Sequence, residues 1–122
     1  MDYKRSNAFR LENHVAIVTG ADDGIGRGIA ELFAHLTRNI AFDLGPKGIR
    51  INAIAPGAIK TTALESVLTP EIEKTMLKHT PLRRLGEVRD IAYAAFYLCS
   101  PAASWVSGQV LTVSGGGIQE LE

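Results

Sequence analysis

A glycine-rich turn near the start of the chain carries the residues best suited to chemistry. Gly20, Gly24 and Gly26 follow the apolar run 15–18, and a helical pattern begins at Ile25. Because glycine lacks a Cβ, the backbone of such a turn can approach a pyrophosphate, and the following helix offers unpaired N–H groups at its positive end. This order of strand, turn and helix favours a dinucleotide site, with a merely tight turn as the alternative.

The charges in the same turn indicate which dinucleotide it suits. Asp22 and Asp23 would repel a 2′-phosphate, and no arginine or lysine in the turn stands ready to receive one. The turn therefore favours NAD over NADP. The residues predicted to bind the cofactor here are Gly20, Asp23, Gly24, Ile25 and Gly26.

The histidines and the single cysteine favour structural roles. His14, His35 and His79 have no accompanying metal-ligand residues, so we predict no metal site. Cys99 lies on an apolar helical pattern, where a buried thiol is favoured over a nucleophile, and a lone cysteine excludes an internal disulfide.

Composition narrows the class of protein. The 122 residues carry 13 basic and 13 acidic side chains, so no net field recruits nucleic acid or an anionic membrane. The apolar runs fall short of a bilayer span, and the N-terminus lacks an apolar signal core. We expect one cytoplasmic domain over residues 1–122, with no nucleic-acid or membrane partner.

Alternating strand and helix patterns predict an α/β fold with a parallel sheet. Strands are predicted at about 14–19, 49–54 and 109–113, and helices at about 24–44, 69–79 and 87–99. The first helix has the apolar stripe Ile25, Ile29, Phe33, Leu36, Ile40 and Leu44. The last helix has the stripe Val88, Ile91, Ala92, Ala95, Leu98 and Cys99.

Four stretches, in order along the chain, resemble the short-chain dehydrogenase/reductase family. The glycine-rich turn 19–26 looks like its cofactor fingerprint, and 49–61 is similar to its sixth strand and the Pro-Gly turn beside the nicotinamide. Residues 81–92 resemble its late helix, and 104–116 resemble its last strand and tail. The resemblance implies a Rossmann-like fold, here reduced to about three strands with flanking helices, and an NAD-dependent oxidoreductase of the hydroxysteroid-directed kind.

The same resemblance implies a second group of cofactor-binding residues. Pro56, Gly57, Ile59 and Thr61 match the nicotinamide end of the family site. Backbone groups near Ile59 would meet the carboxamide, and the Thr61 hydroxyl would support it. The alternative for Pro56 and Gly57 is an ordinary turn after a strand.

The resemblance also implies that an internal part of the family fold is missing. Up to about Ala34 the chain resembles the first family helix, and from about His35 it resembles the end of the helix that carries the catalytic pair. The predicted junction lies near 34–36. The acid that binds the adenosine ribose, the catalytic serine and the Tyr-x-x-x-Lys pair would all belong to the missing part.

No other tyrosine replaces the catalytic one. The residues four places after Tyr3, Tyr93 and Tyr97 are Asn7, Tyr97 and Pro101, so none is lysine. Family chemistry needs a tyrosine whose proton is labilised by a nearby ammonium group. We therefore assign no catalytic residue, and expect an inactive chain that binds NAD weakly at best.

The segment 62–80 is the part of the chain that would face a substrate, and two functions other than catalysis also stay open. An apolar face in 62–80 would suit a steroid-like substrate, or would simply pack on its own domain; its members are Leu64, Val67, Leu68, Ile72, Met76 and Leu77. The alternatives to an enzyme are a silent nucleotide-binding module and a protein that pairs with full-length family subunits.

The length of the first helix raises a difficulty for a minimal fold. About 20 helical residues span roughly 30 Å, whereas a five-residue strand spans roughly 17 Å. The helix is expected to overhang the sheet, to break near 34–37, or to exchange its halves between chains. Uncovered strands also favour association, so we expect a homo-oligomer or a marginal monomer.

Overall fold

The computed structural model describes residues 27–117, with side chains from Ala34 onward. Its helices are α1 (Arg27–Leu44), α2 (Thr62–Glu65), α3 (Pro70–Leu77) and α4 (Val88–Cys99). Its strands are β1 (Ala53–Pro56), β2 (Ile59–Lys60), β3 (Gly86–Glu87) and β4 (Val110–Val113), and 3₁₀ turns occupy Gly45–Lys47 and Pro101–Ala103. The predicted glycine-rich turn and the predicted strand 14–19 lie outside the described residues.

The chain divides into two compact units. The first unit combines the residues up to Ala53 with Ala95–Leu111. The second unit combines Ile54–Ala94 with the residues from Thr112 onward. Helix α1 therefore belongs to the first unit, whereas β2, α2, α3 and β3 belong to the second.

Helix α1 is continuous and ends where the sequence predicts. It runs without interruption from Arg27 to Leu44, so the break near 34–37, one of the three alternatives given for this helix, does not occur. Beyond Leu44, a 3₁₀ turn begins at Gly45 and includes Pro46, and Gly48, at φ 73°, donates its N–H to the Gly45 carbonyl at 2.9 Å. Glycine takes this left-handed conformation without the Cβ penalty.

The buried face of α1 differs from the predicted apolar stripe. Thr37 is 5% exposed, whereas Leu36 is 47% exposed. Thr37 and Ala41 lie about one turn apart, at about 100° and about 140° around the helix from Leu36. A Cβ at Gly108 would lie 3.5 Å from the Cβ of Ala41. The inward face therefore uses small residues, which allow the backbone at Gly108 to approach the helix.

An arginine joins distant parts of the first unit. Arg50 Nη1 donates to the carbonyls of Leu98 at 2.7 Å and Val106 at 3.2 Å, and Nη2 donates to the Ser100 carbonyl at 3.5 Å. The last carbonyls of a helix have no partner within the helix. Arg50 supplies a hydrogen-bond donor to these carbonyls at the end of α4, beside the fully buried Ser100.

Asn52 extends this connection by bonding through both ends of its amide. Its Nδ2 donates to the Val106 carbonyl at 2.9 Å, and its Oδ1 accepts from the N–H of Gln109 at 3.1 Å. The predicted strand 49–54 accordingly begins only at Ala53. Alternating apolar and polar residues imitate a half-buried strand here, but the polar side chains bind backbone groups.

Both sheets in the described chain have two strands. Strand β1 pairs with β4, and β2 pairs with β3. The N–H of Ala53 donates to Gln109 O at 2.8 Å and that of Gly57 to Val113 O at 2.9 Å, so the partners of β1 and β4 advance together, as in a parallel pair. The predicted strand 109–113 is confirmed. The two-residue strands β2 and β3, also parallel, are too short for a periodic signal.

Helix α3 begins through the predicted capping signal. The Oγ1 of Thr69 accepts from the N–H of Ile72 at 3.3 Å, and Pro70 occupies the first helical turn. Both features favour a helix start. The helix ends at Leu77, two residues before the predicted His79.

Helix α4 matches its prediction more closely in extent than in burial. It runs from Val88 to Cys99, but Val88 is 63% exposed, Ala92 is exposed, and Cys99 is half-buried rather than buried. Leu98, at 8% exposure, is its buried residue. Among residues 27–117, no helix combines the length and the hydropathy that a bilayer crossing requires.

Candidate functional site

Gly57 allows the ends of β1 and β4 to approach each other closely. A Cβ at this position would lie 2.7 Å from the Cα of Ser114, a backbone atom. Pro56, predicted to lie in the turn, is instead the last residue of β1 and is exposed. Only a residue without a side chain fits at 57, so the Pro-Gly pair fixes where β1 ends.

Ile59 is positioned by the short pairing of β2 with β3. It lies opposite Gly86 in the parallel register, and the N–H of Gly86 donates to the carbonyl of Ala58 at 2.9 Å. A Cβ at Gly86 would lie 2.5 Å from Ile59 Cδ1. Glycine at 86 therefore makes room for the Ile59 side chain.

Thr61 caps the helix that follows β2. Its Oγ1 accepts a hydrogen bond from the Leu64 N–H at 3.3 Å, and its backbone is extended, as an N-cap requires. The hydroxyl hydrogen is still available to donate to a ligand. Capping is thus a role for Thr61 that the sequence analysis did not assign.

A cleft of about 250 Å³ opens beside Ile59 in the second unit. Its apolar wall includes Ala58, Ile59 and Val113, and its polar groups include Arg84, Asp90 and Ser114. The remaining lining residues are Leu82, Gly86, Tyr93 and Gly115. Mostly apolar walls with a few convergent polar groups are typical of ligand sites.

Arg84 and Asp90 form a bidentate ion pair in the cleft wall. Nη1 lies 2.7 Å from Oδ2, and Nη2 lies 3.3 Å from Oδ1. Asp90 Oδ2 also accepts from the backbone N–H of Glu87 at 2.8 Å. A carboxylate at the third helical position that accepts from the N-cap N–H is half of a capping box. Asp90 therefore has two roles: it caps the start of α4 and it orients Arg84.

The ion pair keeps both side chains charged. The hydrogen bond from Arg84, followed by that from the Glu87 N–H, lowers the pKa of Asp90 to about 2. The hydrogen bond to Asp90 raises the pKa of Arg84. Neither group can exchange a proton near neutral pH, so the pair supplies fixed charge and position rather than acid–base catalysis.

The structure brings together part of the predicted site. Ile59 lines the cleft, while Pro56, Gly57 and Thr61 flank it along the same stretch of chain. The other five predicted cofactor-binding residues lie outside the described residues; they are Gly20, Asp23, Gly24, Ile25 and Gly26.

The ion pair and Ser114 are site residues that the sequence analysis did not single out. Spacing offered one signal for the ion pair, because Asp90 stands three residues after Glu87 at a helix start, as in a capping box. Nothing local marked Ser114, which reaches the cleft through strand pairing. Over residues 34–117, no group of three or more His, Cys, Asp or Glu side chains could hold a metal ion.

Comparison with known proteins decides the family. The family described as enoyl-(acyl carrier protein) reductase matches residues 33–117. The 7α-hydroxysteroid dehydrogenase of Escherichia coli (strain K12) is 74% identical over 88 residues, which are 72% of this chain and 34% of that protein. The chain belongs to the short-chain dehydrogenase/reductase family. It spans about a third of the length of the curated relatives it matches.

Solved structures of short-chain dehydrogenases agree with this assignment. A 7α-hydroxysteroid dehydrogenase complexed with NADH and 7-oxo glycochenodeoxycholic acid is 71% identical, with a TM-score of 0.66 over 75% of this chain and 36% of that one. A short-chain type dehydrogenase/reductase from Mycobacterium ulcerans is 40% identical, with a TM-score of 0.66 over 70% of this chain and 32% of that one. The predicted family and the Rossmann-like α/β class are confirmed.

Proposed function

We propose that these 122 residues form a hydroxysteroid dehydrogenase-like chain that binds NAD weakly and does not oxidise a steroid by itself. The observation that carries the binding proposal is the close approach of Gly57 to Ser114 beside the cleft, at 2.7 Å from a Cβ position to the Ser114 Cα. A glycine directly after β1, next to an apolar wall with polar groups, would fit the nicotinamide end of the cofactor.

The size of the cleft supports partial binding only. Pockets that hold a whole small ligand measure roughly 300–1,000 Å³, and this one measures about 250 Å³. When bound, NAD supplies the hydride acceptor. Ile59 and Val113 would pack against its ring, Ser114 would offer a hydroxyl, and Arg84, held by Asp90, would present positive charge.

The proposed lack of turnover depends on proton transfer. Tyr93 lines the cleft, but the residue four places on is Tyr97 and no lysine lines the cleft wall. Arg84 is the lining cation, and it is committed to Asp90. A positioned acid–base group contributes roughly 10²–10⁴-fold, so its loss together with the serine leaves no measurable rate.

Weak affinity follows from the missing adenosine-ribose contact. A carboxylate on the ribose hydroxyls forms a charged hydrogen bond of about 1.5–3 kcal/mol. Without it, the affinity for NAD falls about tenfold to a hundredfold. The proposed location is the cytoplasm, where the NAD pool is accessible.

Thermal unfolding with graded dinucleotides tests the binding proposal. We expect NAD at millimolar concentration to raise Tm, AMP to raise it less, and NADP least, because two acidic residues in the glycine-rich sequence, Asp22 and Asp23, would repel a 2′-phosphate. Saturation at 100 times Kd corresponds to about 2.7 kcal/mol. A Tm that ignores NAD would contradict retention of a cofactor site.

Incubation of the chain with NAD and cholate, followed by the absorbance of NADH, tests the proposed inactivity. We expect no NADH above the protein-free rate. A rate proportional to the concentration of this chain would overturn the proposal, while leaving the binding result intact.

A second candidate is association, either with further copies of the chain or with full-length family subunits. The first unit exposes large apolar side chains, among them Trp105 at 99% and Phe42 at 83%. Burial of such side chains against a partner would favour association. Light scattering after gel filtration, alone and mixed with an intact hydroxysteroid dehydrogenase, separates the cases: a monomer in both samples would exclude association.

A further inference from the structure

A second cleft in the second unit is independent of the proposed cofactor site. It measures about 430 Å³ and lies along one face of α3. Helix residues spaced by three and four places share a face. The lining residues are Pro70, Glu73, Lys74, Leu77, Lys78 and Arg83.

Positive charge dominates this second cleft. Lys74, Lys78 and Arg83 carry +3 against −1 from Glu73, which leaves a net +2 among the lining residues. Over residues 34–117 the ion pairs are Lys60–Glu65, Arg84–Asp90 and Arg89–Glu87, so the cleft cations pair with no described carboxylate. They therefore remain available to an anionic ligand.

The backbone of Arg83 gives a second, independent reason to expect a ligand. At φ 55° it is the non-glycine residue with positive φ among those described. Its N–H donates to Thr80 O at 2.9 Å, and the N–H of Leu82 donates to Gly115 O at 3.1 Å. A strained conformation persists where its surroundings enforce it, and such strain clusters at ligand clamps. Glycine would suit this backbone better, so the arginine is retained at a cost to stability.

We propose that this cleft binds an organic anion that carries an apolar body, with its carboxylate, sulfonate or sulfate group at Arg83 and Lys78. Leu77 and Pro70 supply the apolar surface on the α3 face, and Lys74 adds charge along the same side. Arginine suits the head group because its planar fork matches a carboxylate in two hydrogen bonds. The proposal does not depend on NAD binding or on the family reaction.

Binding of 11-(dansylamino)undecanoate to the full chain, followed by fluorescence anisotropy, tests the proposal. The uncharged methyl ester of the same probe reports apolar binding alone. We expect the acid to bind at least threefold more tightly than the ester at low salt, since an exposed ion pair is worth about that factor. Equal affinities would overturn the role of the charge.

Arg83→Gly is the decisive variant because it removes the cation and relieves the positive φ. We expect a Tm equal to or above that of the unmodified chain, with at least threefold weaker binding of the acid and unchanged binding of the ester. Lys78→Gln should weaken the acid similarly. Lys60→Gln, which removes an exposed lysine outside the cleft, is the matched control and should change neither affinity.

Competition separates the head group from the body. We expect laurate to displace the probe at a concentration at least tenfold lower than inorganic phosphate does. Equal displacement would overturn the apolar part of the proposal, and equal loss of acid binding in Lys60→Gln and Arg83→Gly would show a general charge effect and overturn the site.

Discussion

Each of the two units has its own kind of internal contact. In the first unit, side chains bond to backbone groups far away in sequence, as Arg50 does to Leu98 and Val106. In the second unit, short-range capping bonds and backbone pairing predominate, as at Thr69 and between β2 and β3. The first arrangement encloses Ser100 and Ala103 completely, both at 0% exposure.

This difference suggests that the first unit contributes mainly to stability and the second unit mainly to binding. The two clefts described above both lie in the second unit. Ligand sites are commonly drawn from the less stable parts of a fold, whereas buried networks report the global stability. We therefore expect the largest loss of unfolding free energy from a substitution in the first unit, and smaller losses, together with effects on ligands, from substitutions in the second.

The largest expected effect comes from Arg50→Met. The change leaves the carbonyls of Leu98, Val106 and Ser100 without their side-chain donor. Unsatisfied, partly buried polar groups cost about 1–3 kcal/mol each, and solvent access limits the sum to roughly 2–3 kcal/mol. Urea unfolding followed by circular dichroism measures it.

Lys47→Met is the matched control for Arg50→Met, because Lys47 is exposed in the 3₁₀ turn. Its effect should stay within about 0.5 kcal/mol. If both variants unfold at the same urea concentration, the Arg50 hydrogen bonds do not hold the first unit together.

The next effect is that of Gly57→Ala in the second unit. The new Cβ meets the Ser114 backbone at 2.7 Å, so the ends of β1 and β4 must separate. Overpacking of this kind costs about 1–3 kcal/mol. Gly45→Ala is the control, because nothing lies within 4 Å of its Cβ position. Unchanged stability in Gly57→Ala, measured by the same urea titration, would contradict the required close approach.

Local signals accounted for most of what the sequence could predict. The stop at Leu44 came from Gly45 and Pro46, and the start of α3 came from Thr69 and Pro70. These signals act within a few residues, through fixed φ values and unpaired N–H groups. The resemblance of 49–61 to the family, rather than a local signal, pointed to the stretch in which Ile59 lines the candidate cleft.

What the sequence could not predict depends on contacts between distant residues. Arg50 and Asn52 fitted the alternation of a strand, yet their partners lie about 50 residues away and divert them from strand geometry. Leu36 fitted an apolar stripe, but the face of α1 that packs against Gly108 is the neighbouring one, which carries the small residues Thr37 and Ala41. Each outcome depends on which distant part of the chain packs against the segment, and the periodicity of the segment itself does not contain that information.

A smaller effect is expected from Thr69→Ala, which removes the cap of α3. Loss of a capping hydroxyl costs about 1 kcal/mol, and the bond concerned is the 3.3 Å contact with the Ile72 N–H. Thr75→Ala is the control, because Thr75 Oγ1 only donates to the Glu71 carbonyl within the helix. Alanine is the better helix former there. Equal destabilisation of the two variants in thermal melts would exclude a specific cap.

The smallest effect is the loss of unfolding free energy in Asp90→Asn. Its dependence on pH distinguishes the Arg84–Asp90 pair from an ordinary surface contact. The pKa of Asp90 is about 2 in the folded chain against an ordinary value of 3.8. Because the folded pKa is the lower one, the stabilisation is complete above about pH 4 and is lost as the pH falls towards 2. In Asp90→Asn this contribution is absent at every pH. The difference in unfolding free energy between the two proteins should therefore shrink from pH 5 to pH 2.

Glu65→Gln, which removes the 3.6 Å contact with Lys60, is the control and should follow the unmodified chain over that range. A difference that stays constant between pH 5 and pH 2 would mean that Arg84 is held in the cleft by something other than the Asp90 carboxylate.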